Sequence, residues 1–413
     1  MSKKRSSTTR KRSSASPRAK RILGLLTTVV VALFGAYYLL KGSTPLEVLT
    51  QIGWLPTSGP PPALAAAPAT DTVLATAPAG APSDTWWEVY FTDPHSHGSP
   101  DQPAGSIEEK LIQRIQQAQR SIHIAAFEFN LTPVAEALSA AQARGVEVQW
   151  VTDDEHGLEA DGDEGHGQFA LLKKAGIEVK DDGRSALMHN KFLIFDDEIV
   201  WTGATNITVN GIFANNNNVI VISSPAVAQI YEREFDEMWG GQFGSTSPST
   251  VGQQTATVNG VSVQVLFAAE DDVISRLVPL IEGAQKSIRF MAFSFTHDDL
   301  GQAVLARAQA GVEVQGIFET RGSETKESEM RALYCANIPV RQDTNPTAFH
   351  HKVFVVDDAL VITGSFNFSD NADTSNDENV VIVTEAGIAA EYLKEFEQRW
   401  AESVDPQAGD MNC

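Results

Sequence analysis

The sequence predicts an α/β fold built from two copies of one domain, and three observations carry that prediction. An HxKxxxxD pattern followed by GxxN occurs twice, as His189, Lys191, Asp196, Gly203 and Asn206 and again as His350, Lys352, Asp357, Gly364 and Asn367. Segments outside the pattern recur too: Ser121–Phe129 is echoed by Ser287–Phe295, and Gly145–Gln149 by Gly311–Gln315. Within each copy, apolar runs of strand length alternate with runs of helical pattern, the signature of an α/β domain. The copies lie about 165 residues apart, a domain-sized offset rather than the roughly 20 to 50 residues of a solenoid repeat. The motifs are spaced slightly closer than the flanking repeats, so the first copy carries about five extra residues, near Asp153–Gly167.

The elements follow in order from a basic start. Residues 1–21 hold nine Lys or Arg and no acid, and residues 22–40 form a 19-residue uncharged run closed by Lys41. As a helix that run is roughly 28 Å long at about 1.5 Å per residue, one hydrocarbon core. The expected topology is a single-pass transmembrane anchor in the cell membrane, with the basic tail in the cytoplasm and the rest of the chain outside. The small residues Ala65–Ala67 lie too far beyond Leu40 for an ordinary signal-peptide cleavage site. Residues 41–84 are dense in Pro, Ala, Thr and Ser and cannot build a core, so they read as a tether.

The first domain, residues 85–240, begins at Trp86–Phe91. A buried strand is expected at Ile122–Phe129, a helix at Pro133–Ala143 closed by Gly145, a strand at Val146–Val151 and a short helix at Phe169–Ala175. The motif strand Lys191–Phe195, an apolar strand at Val219–Ile222 and an amphipathic helix ending at Met238 and Trp239 complete it. A polar linker at 241–260 leads to the second domain, residues 261–403. There the same order is read at Val261–Phe267, Ile288–Phe295, Leu300–Ala310, Val312–Phe318, Glu327–Tyr334, Lys352–Val356 and Val380–Val383, with a helix ending at Arg399 and Trp400.

Side chains alternate along a strand, so His189 and Lys191 share one face while Asn190 and Phe192 take the other. The same alternation places His350 with Lys352 and turns His351 away from them, into a structural role.

Paired HxKxxxxD and GxxN motifs resemble those that define the phospholipase D superfamily, and the resemblance covers about Trp87 to Trp400. It implies two duplicated α-β-α sandwich domains related by a pseudo-twofold, with both motifs meeting in one cleft. It also implies hydrolysis or transfer at a phosphodiester through a phosphohistidine, without a metal or other cofactor. The residue types suit that chemistry. One neutral imidazole can attack phosphorus while the other protonates the leaving oxygen and then deprotonates water. Lys191, Asn206, Lys352 and Asn367, with Ser365 beside them, are expected to bind the nonbridging oxygens. Both half-sites lie in one chain, so a single chain is expected to form the catalytic unit.

Two departures from symmetry stand out. Ala204 replaces the serine that Ser365 keeps, and Asn217 stands where Glu378 stands in the second copy. In the family such a carboxylate orients the histidine ring, so Glu378 is expected to partner His350 and to leave His189 without a carboxylate. A carboxylate raises imidazole basicity, which favours His350 as nucleophile, whereas family precedent favours the first histidine. The two roles stay open at this level. Asp196 and Asp357, although part of the motif, sit where a strand meets a turn and read more naturally as turn caps than as reacting groups.

Charge and substrate are linked. The chain carries a formal charge of −22, and setting aside the ten Lys or Arg of the first 42 residues, which include no acid, leaves −32 on the rest. That balance opposes nonspecific nucleic-acid binding and anionic lipid alike, so positive charge must be concentrated in the cleft. Cys335 and Cys413 are the sole cysteines: they give no disulfide framework but allow one bridge. Histidines and acids in Asp93–His97 and Asp153–His166 lack ligand spacing and read as solvated loops around the cleft rather than a metal site. The second trailer, Gly364–Asn379, looks most like the superfamily branch of bacterial nucleases and cardiolipin hydrolases. With an anchor beside a lipid substrate, the leading expectation is hydrolysis of phospholipid head groups at a membrane. An extracytoplasmic nuclease acting on DNA or RNA is the alternative. A cardiolipin synthase-like phosphatidyl transferase and a noncatalytic binding module come third.

Overall fold

The computed structural model describes residues 85–411 and 413. The expected basic tail, membrane anchor and 41–84 tether lie outside the described residues, and among the described residues no helix is long and apolar enough to cross a membrane.

The first half runs β1 (Trp87–Phe91), α1 (Ile107–Gln117), β2 (Ser121–Ala126), α2 (Thr132–Ala143), β3 (Glu147–Thr152), α3 (Gln168–Lys174), β4 (Glu178–Asp181), β5 (Lys191–Phe195), β6 (Ile199–Gly203), β7 (Asn218–Ser223) and α4 (Pro225–Trp239). The second half begins with β8 (Thr255–Val258), β9 (Val261–Ala268), α5 (Val273–Glu282), β10 (Ser287–Ala292), α6 (Asp298–Gln309), β11 (Glu313–Phe318), α7 (Glu329–Cys335) and β12 (Val340–Gln342). It continues with β13 (Lys352–Val356), β14 (Leu360–Gly364), α8 (Asp370–Thr374), β15 (Glu378–Thr384), α9 (Ala386–Glu402) and α10 (Ala408–Met411).

Each half forms one mixed sheet. The strand orders are β1-β7-β6-β5-β2-β3-β4 and β12-β11-β10-β13-β14-β15-β9-β8, so the second repeats the first with β8 added at its edge. The motif strands β5 and β13 lie inside their sheets, each antiparallel to the strand of the recurring apolar segment, β2 or β10. The α/β class and the duplication follow directly from this order.

Alternation along the motif strands sorts their side chains into different cores. Phe192 and Ile194 enter a cluster shared by both halves, with Val353 and Val355 of β13 and with α4 and α9 packed between the sheets. Leu193 and Phe195 join α1, α2 and α3 on the outer face of the first sheet, as Phe354 and Val356 join α5, α6 and α7 on the second. Each such side chain, fully buried, stabilises the fold by about 1.5–3 kcal/mol. The shared central cluster is what joins the halves.

Residues 241–260 are not linker throughout. Thr255–Val258 pairs antiparallel with β9, and Asn259 and Gly260 turn the hairpin with φ of 49° and 84°. Two residues with positive φ match the twist of adjoining strands, which is why Asn-Gly marks such turns. The extra residues of the first half form short helical turns at Asp154–Glu159 and Ala160–Gly162. Cys335 and Cys413 form a disulfide with Cα atoms 5.5 Å apart, which ties the carboxyl end to α7.

Candidate active site

Two backbone bridges between the halves build the site. Met188 pairs with Asp377, and Asn216 with Phe349. The bonds are reciprocal: His189 N–H donates to Asp377 O at 2.9 Å and Asp377 N–H to Leu187 O at 2.9 Å, while His350 N–H donates to Asn216 O at 2.8 Å and Asn216 N–H to Ala348 O at 2.9 Å. This register brings the residue after each bridge against the histidine of the opposite half. His189 Nδ1 therefore lies 2.8 Å from Glu378 Oε2, and His350 Nδ1 lies 3.0 Å from Asn217 Oδ1 and 3.1 Å from Ala204 O.

That arrangement corrects the expected pairing of Glu378 with His350. Counting along one half cannot reveal the exchange, because the partners are selected by pairing between halves. Glu378 belongs to His189 and fixes the orientation of its ring. A Nδ1 that faces an acceptor carries the ring proton, which leaves the lone pair on Nε2.

His189, Lys191, His350 and Lys352 are all buried, and the structure brings all four together with Glu378. Lys191 Nζ donates to His189 O at 2.8 Å, and Lys352 Nζ to His350 O at 2.9 Å. The ammoniums sit over the rings of Phe127 and Phe293 at 4.9 and 4.6 Å. The same rings meet His189 and His350 edge-on at 4.9 and 4.7 Å, so one aromatic wall in each half orients both motif side chains.

Burial dominates the electrostatics. It holds His189 well below the usual histidine value, reinforced by Lys191 and Lys352. Burial likewise holds His350 well below it, with the same two lysines adding to the effect. Lys191 is lowered to about 8 by burial, against the pull of Glu378 and Glu128. Burial, and then Lys191, hold Lys352 well below the usual lysine value. Glu378 is raised to about 8 by burial, opposed first by Lys191. Both imidazoles are thus poised as neutral bases. A phosphodiester would supply the negative charge that buried ammoniums lack.

Asn206 and Asn367 follow the motif glycines. Gly203 and Gly364 adopt φ of 147° and 148°, and a Cβ there would collide with the backbone carbonyl of Asn218 or Asn379, so glycine is required. Asn206 Nδ2 donates to Glu128 Oε2 at 2.9 Å. The Oδ1 atoms of Asn206 and Asn367 are both buried without a partner.

Three expected site residues take other places. Ser365 is fully buried, donates to Glu378 Oε2 at 2.7 Å and accepts from Asn379 N–H at 3.0 Å. Its hydroxyl supports Glu378. Asp196 and Asp357 lie at the far ends of β5 and β13, about 16 Å from the lysines at roughly 3.3 Å per residue. Asp196 accepts from the N–H groups of Gln119, Arg120 and Ser121 at 2.6–3.1 Å, and Asp357 from those of Gln285, Lys286 and Ser287 at 2.6–3.0 Å. Partial burial works to raise Asp357, but the three N–H donors outweigh it and hold the carboxyl below its usual range. These aspartates clamp the loop before β2 or β10, not the turn to the next strand. His351 turns away as expected: it is buried, 3.0 Å from Asn218 Nδ2 and 3.5 Å from Glu395.

Sequence reasoning missed a second pair of carboxylates. Asp153 follows β3 and accepts from Met188 N–H at 3.1 Å and His156 N–H at 2.8 Å. Glu319 follows β11 and accepts from Phe349 N–H at 2.6 Å and Arg321 N–H at 3.1 Å. Each carboxylate fixes the residue before a motif histidine. Their common offset with the recurring strands was the available signal. Asp153 is buried, so this part of Asp153–His166 is not a solvated loop. Asp153, Asp154 and Asp182 place carboxylate oxygens within 4.8 Å of one another. Oxygens of Asp153 and Asp182 already accept from Met188 N–H, His156 N–H, Asp154 N–H and Arg184 Nε.

Residues 111–239 and 277–400 match the family described as "Cardiolipin synthase, PLD-like domain", and each segment contains one motif. Mitochondrial cardiolipin hydrolase from Xenopus tropicalis is 36% identical over 141 residues, 34% of this chain and 67% of the relative. Phospholipase D from Rickettsia prowazekii is 34% identical over 138 residues, 33% of this chain and 67% of that one. The chain spans between 51% and 69% of such relatives. A crystal structure of phosphatidylserine synthase from Haemophilus influenzae shares the fold, with a TM-score of 0.56 at 14% identity over 76% of this chain and 87% of that one. Two matched segments, each delivering a histidine and a lysine to one buried cluster, make this chain a member of the phospholipase D superfamily, with which phosphodiesterase activity fits.

Proposed function

We propose that this protein is a membrane-anchored phosphodiesterase of the phospholipase D type that hydrolyses phospholipid head groups through a phosphohistidine. The observation that carries the reading is the meeting of His189 and His350 in one buried cluster, each with Nδ1 held by an acceptor from the opposite half. His189 Nε2 attacks phosphorus and forms the N–P bond. The P–O bond to the head-group alcohol breaks, and the departing oxygen takes a proton from His350. Water then loses a proton to His350 and bonds to phosphorus, and the N–P bond breaks, returning its electron pair to His189. His350 gains its proton once the diester's charge offsets the ammoniums of Lys191 and Lys352. Those ammoniums, with the amides of Asn206 and Asn367, hold the nonbridging oxygens.

Lipid is supported as substrate by the relatives named cardiolipin hydrolase and phospholipase D. The disulfide suits an oxidising compartment, in keeping with an anchor that leaves the catalytic domains outside the cytoplasm. Product analysis tests the reading. The purified full-length chain is offered phosphatidylcholine vesicles, cardiolipin vesicles and single-stranded DNA, with His350→Ala as control. Phosphatidic acid that disappears in the control is the expected result. DNA fragments with intact lipid would replace the reading with a nuclease.

A further inference from the structure

The two half-sites differ at one position beside the anion donors. Phe127 and Phe293 are equivalent wall residues, but the next residue is Glu128 in the first half and Ser294 in the second. Glu128 is half-buried and accepts from Asn206 Nδ2 at 2.9 Å. Its negative charge also supports the ammonium of Lys191. Asn206 and Lys191 are the two groups of the first half-site that would hold a phosphoryl oxygen. Among the described residues, the side chain of Asn367 in the second half makes no comparable bond, while the Oδ1 atoms of both amides are buried without a partner.

We propose that Glu128 is a specificity residue whose carboxylate occupies the phosphoryl donors of the first half-site and selects an isolated phosphodiester over a chain of phosphates. This inference rests on the phosphodiesterase reading above. An incoming diester must take the Asn206 amide from the carboxylate. The carboxylate cannot go far, because its backbone lies between Phe127 and Phe129, both buried. It stays beside Asn206 and Lys191, within the roughly 8 Å over which charges interact at physiological salt. A lipid with a single phosphodiester, such as phosphatidylcholine, brings one phosphate to those donors and then an alcohol. A nucleic acid brings further phosphates one nucleotide away on either side, and like charges held together suppress binding of the wrong partner. Serine at the equivalent place in the second half imposes no such repulsion.

The test separates this effect from the identity of the natural substrate. Glu128→Ser, which copies the second half, and the isosteric Glu128→Gln are compared with the parent full-length chain in three assays. The first is inhibition by inorganic phosphate of bis(p-nitrophenyl) phosphate cleavage. The second is the ratio of kcat/KM for a single-stranded oligonucleotide to that for a dinucleoside monophosphate, which has the same linkage but no flanking phosphate. The third is turnover of phosphatidylcholine vesicles. Removing the charge is expected to tighten phosphate inhibition about tenfold and to raise the oligonucleotide ratio about tenfold. Damage to the fold would lower every rate without tightening inhibition. Unchanged inhibition and an unchanged ratio in Glu128→Gln would overturn the inference, as would a uniform loss on all substrates in that variant. A parent that cleaves the synthetic diester but no lipid would sink the lipid reading alone, because phosphate inhibition still reports on Glu128.

Discussion

At the scale of single residues, the site depends on partners that neighbouring charges and burial have tuned. Glu378 fixes the His189 ring at 2.8 Å and receives the Ser365 hydroxyl. Glu378→Gln is expected to lower kcat by about 10²-fold or more, with a smaller change in KM, because ring orientation serves the transition state. Steady-state kinetics on a soluble diester checks this. The same variant changes how stability varies with pH. Glu378 is raised from the ordinary 4.5 to about 8, so over that interval the folded chain keeps a proton that the unfolded chain has lost. Stability from this group is complete below 4.5 and declines as pH rises to about 8. Melting temperatures of Glu378→Gln should therefore fall less over that window than those of the parent; an equal fall would contradict the assignment.

At the scale of elements, the motif strands β5 and β13 hold chemistry at one end and structural clamps at the other. Asp357 accepts three N–H bonds ahead of β10, so Asp357→Asn is expected to destabilise the fold by about 1–2 kcal/mol while kcat stays within a few-fold. Urea unfolding and kinetics on one preparation measure both, and a large loss of kcat in a stable variant would restore a direct role. The elements themselves were largely legible. The motif strands were read with the observed bounds, since an apolar run after a fixed polar pattern is a local signal. The outer helices α1 and α5 and the strands β6 and β14 were not read. The short strands are next to tight turns, and what stabilises them is pairing within a sheet, which a local window does not contain. The β8 hairpin did carry its signal, Asn259-Gly260 after Thr alternating with the apolar Ala256 and Val258.

At the scale of the whole molecule, the halves are interdependent. They share the central cluster that contains α4 and α9, and each motif histidine finds its Nδ1 partner in the other half. Separate expression of residues 85–240 and 255–413 is therefore expected to give aggregation-prone, inactive fragments, whereas co-expression restores diester cleavage. Activity in either half alone would contradict a site built across the seam. The disulfide acts at the same scale. It closes a loop of 78 residues, and its removal by Cys335→Ser is expected to lower stability by about 2–4 kcal/mol. It joins α7 to the carboxyl end, away from the histidines, so kcat at room temperature should stay unchanged while the melting temperature falls.

The sequence by itself determined the α/β class, the duplication, the two motif strands and which side chains share a face with His189 and His350. These are consequences of repetition and of period-two alternation, and both are written locally along the chain. Only the tertiary structure decided that Glu378 serves His189, that Asn217 serves His350, that Ser365 supports a carboxylate and that Glu128 holds Asn206. Each of those facts is set by the register of Met188 with Asp377 and of Asn216 with Phe349, or by the ends of neighbouring strands. Contacts between strands so distant in sequence leave no spacing for the sequence to display. The physical reason is that a duplicated domain specifies its own halves locally, whereas the site forms where two copies pair and exchange partners.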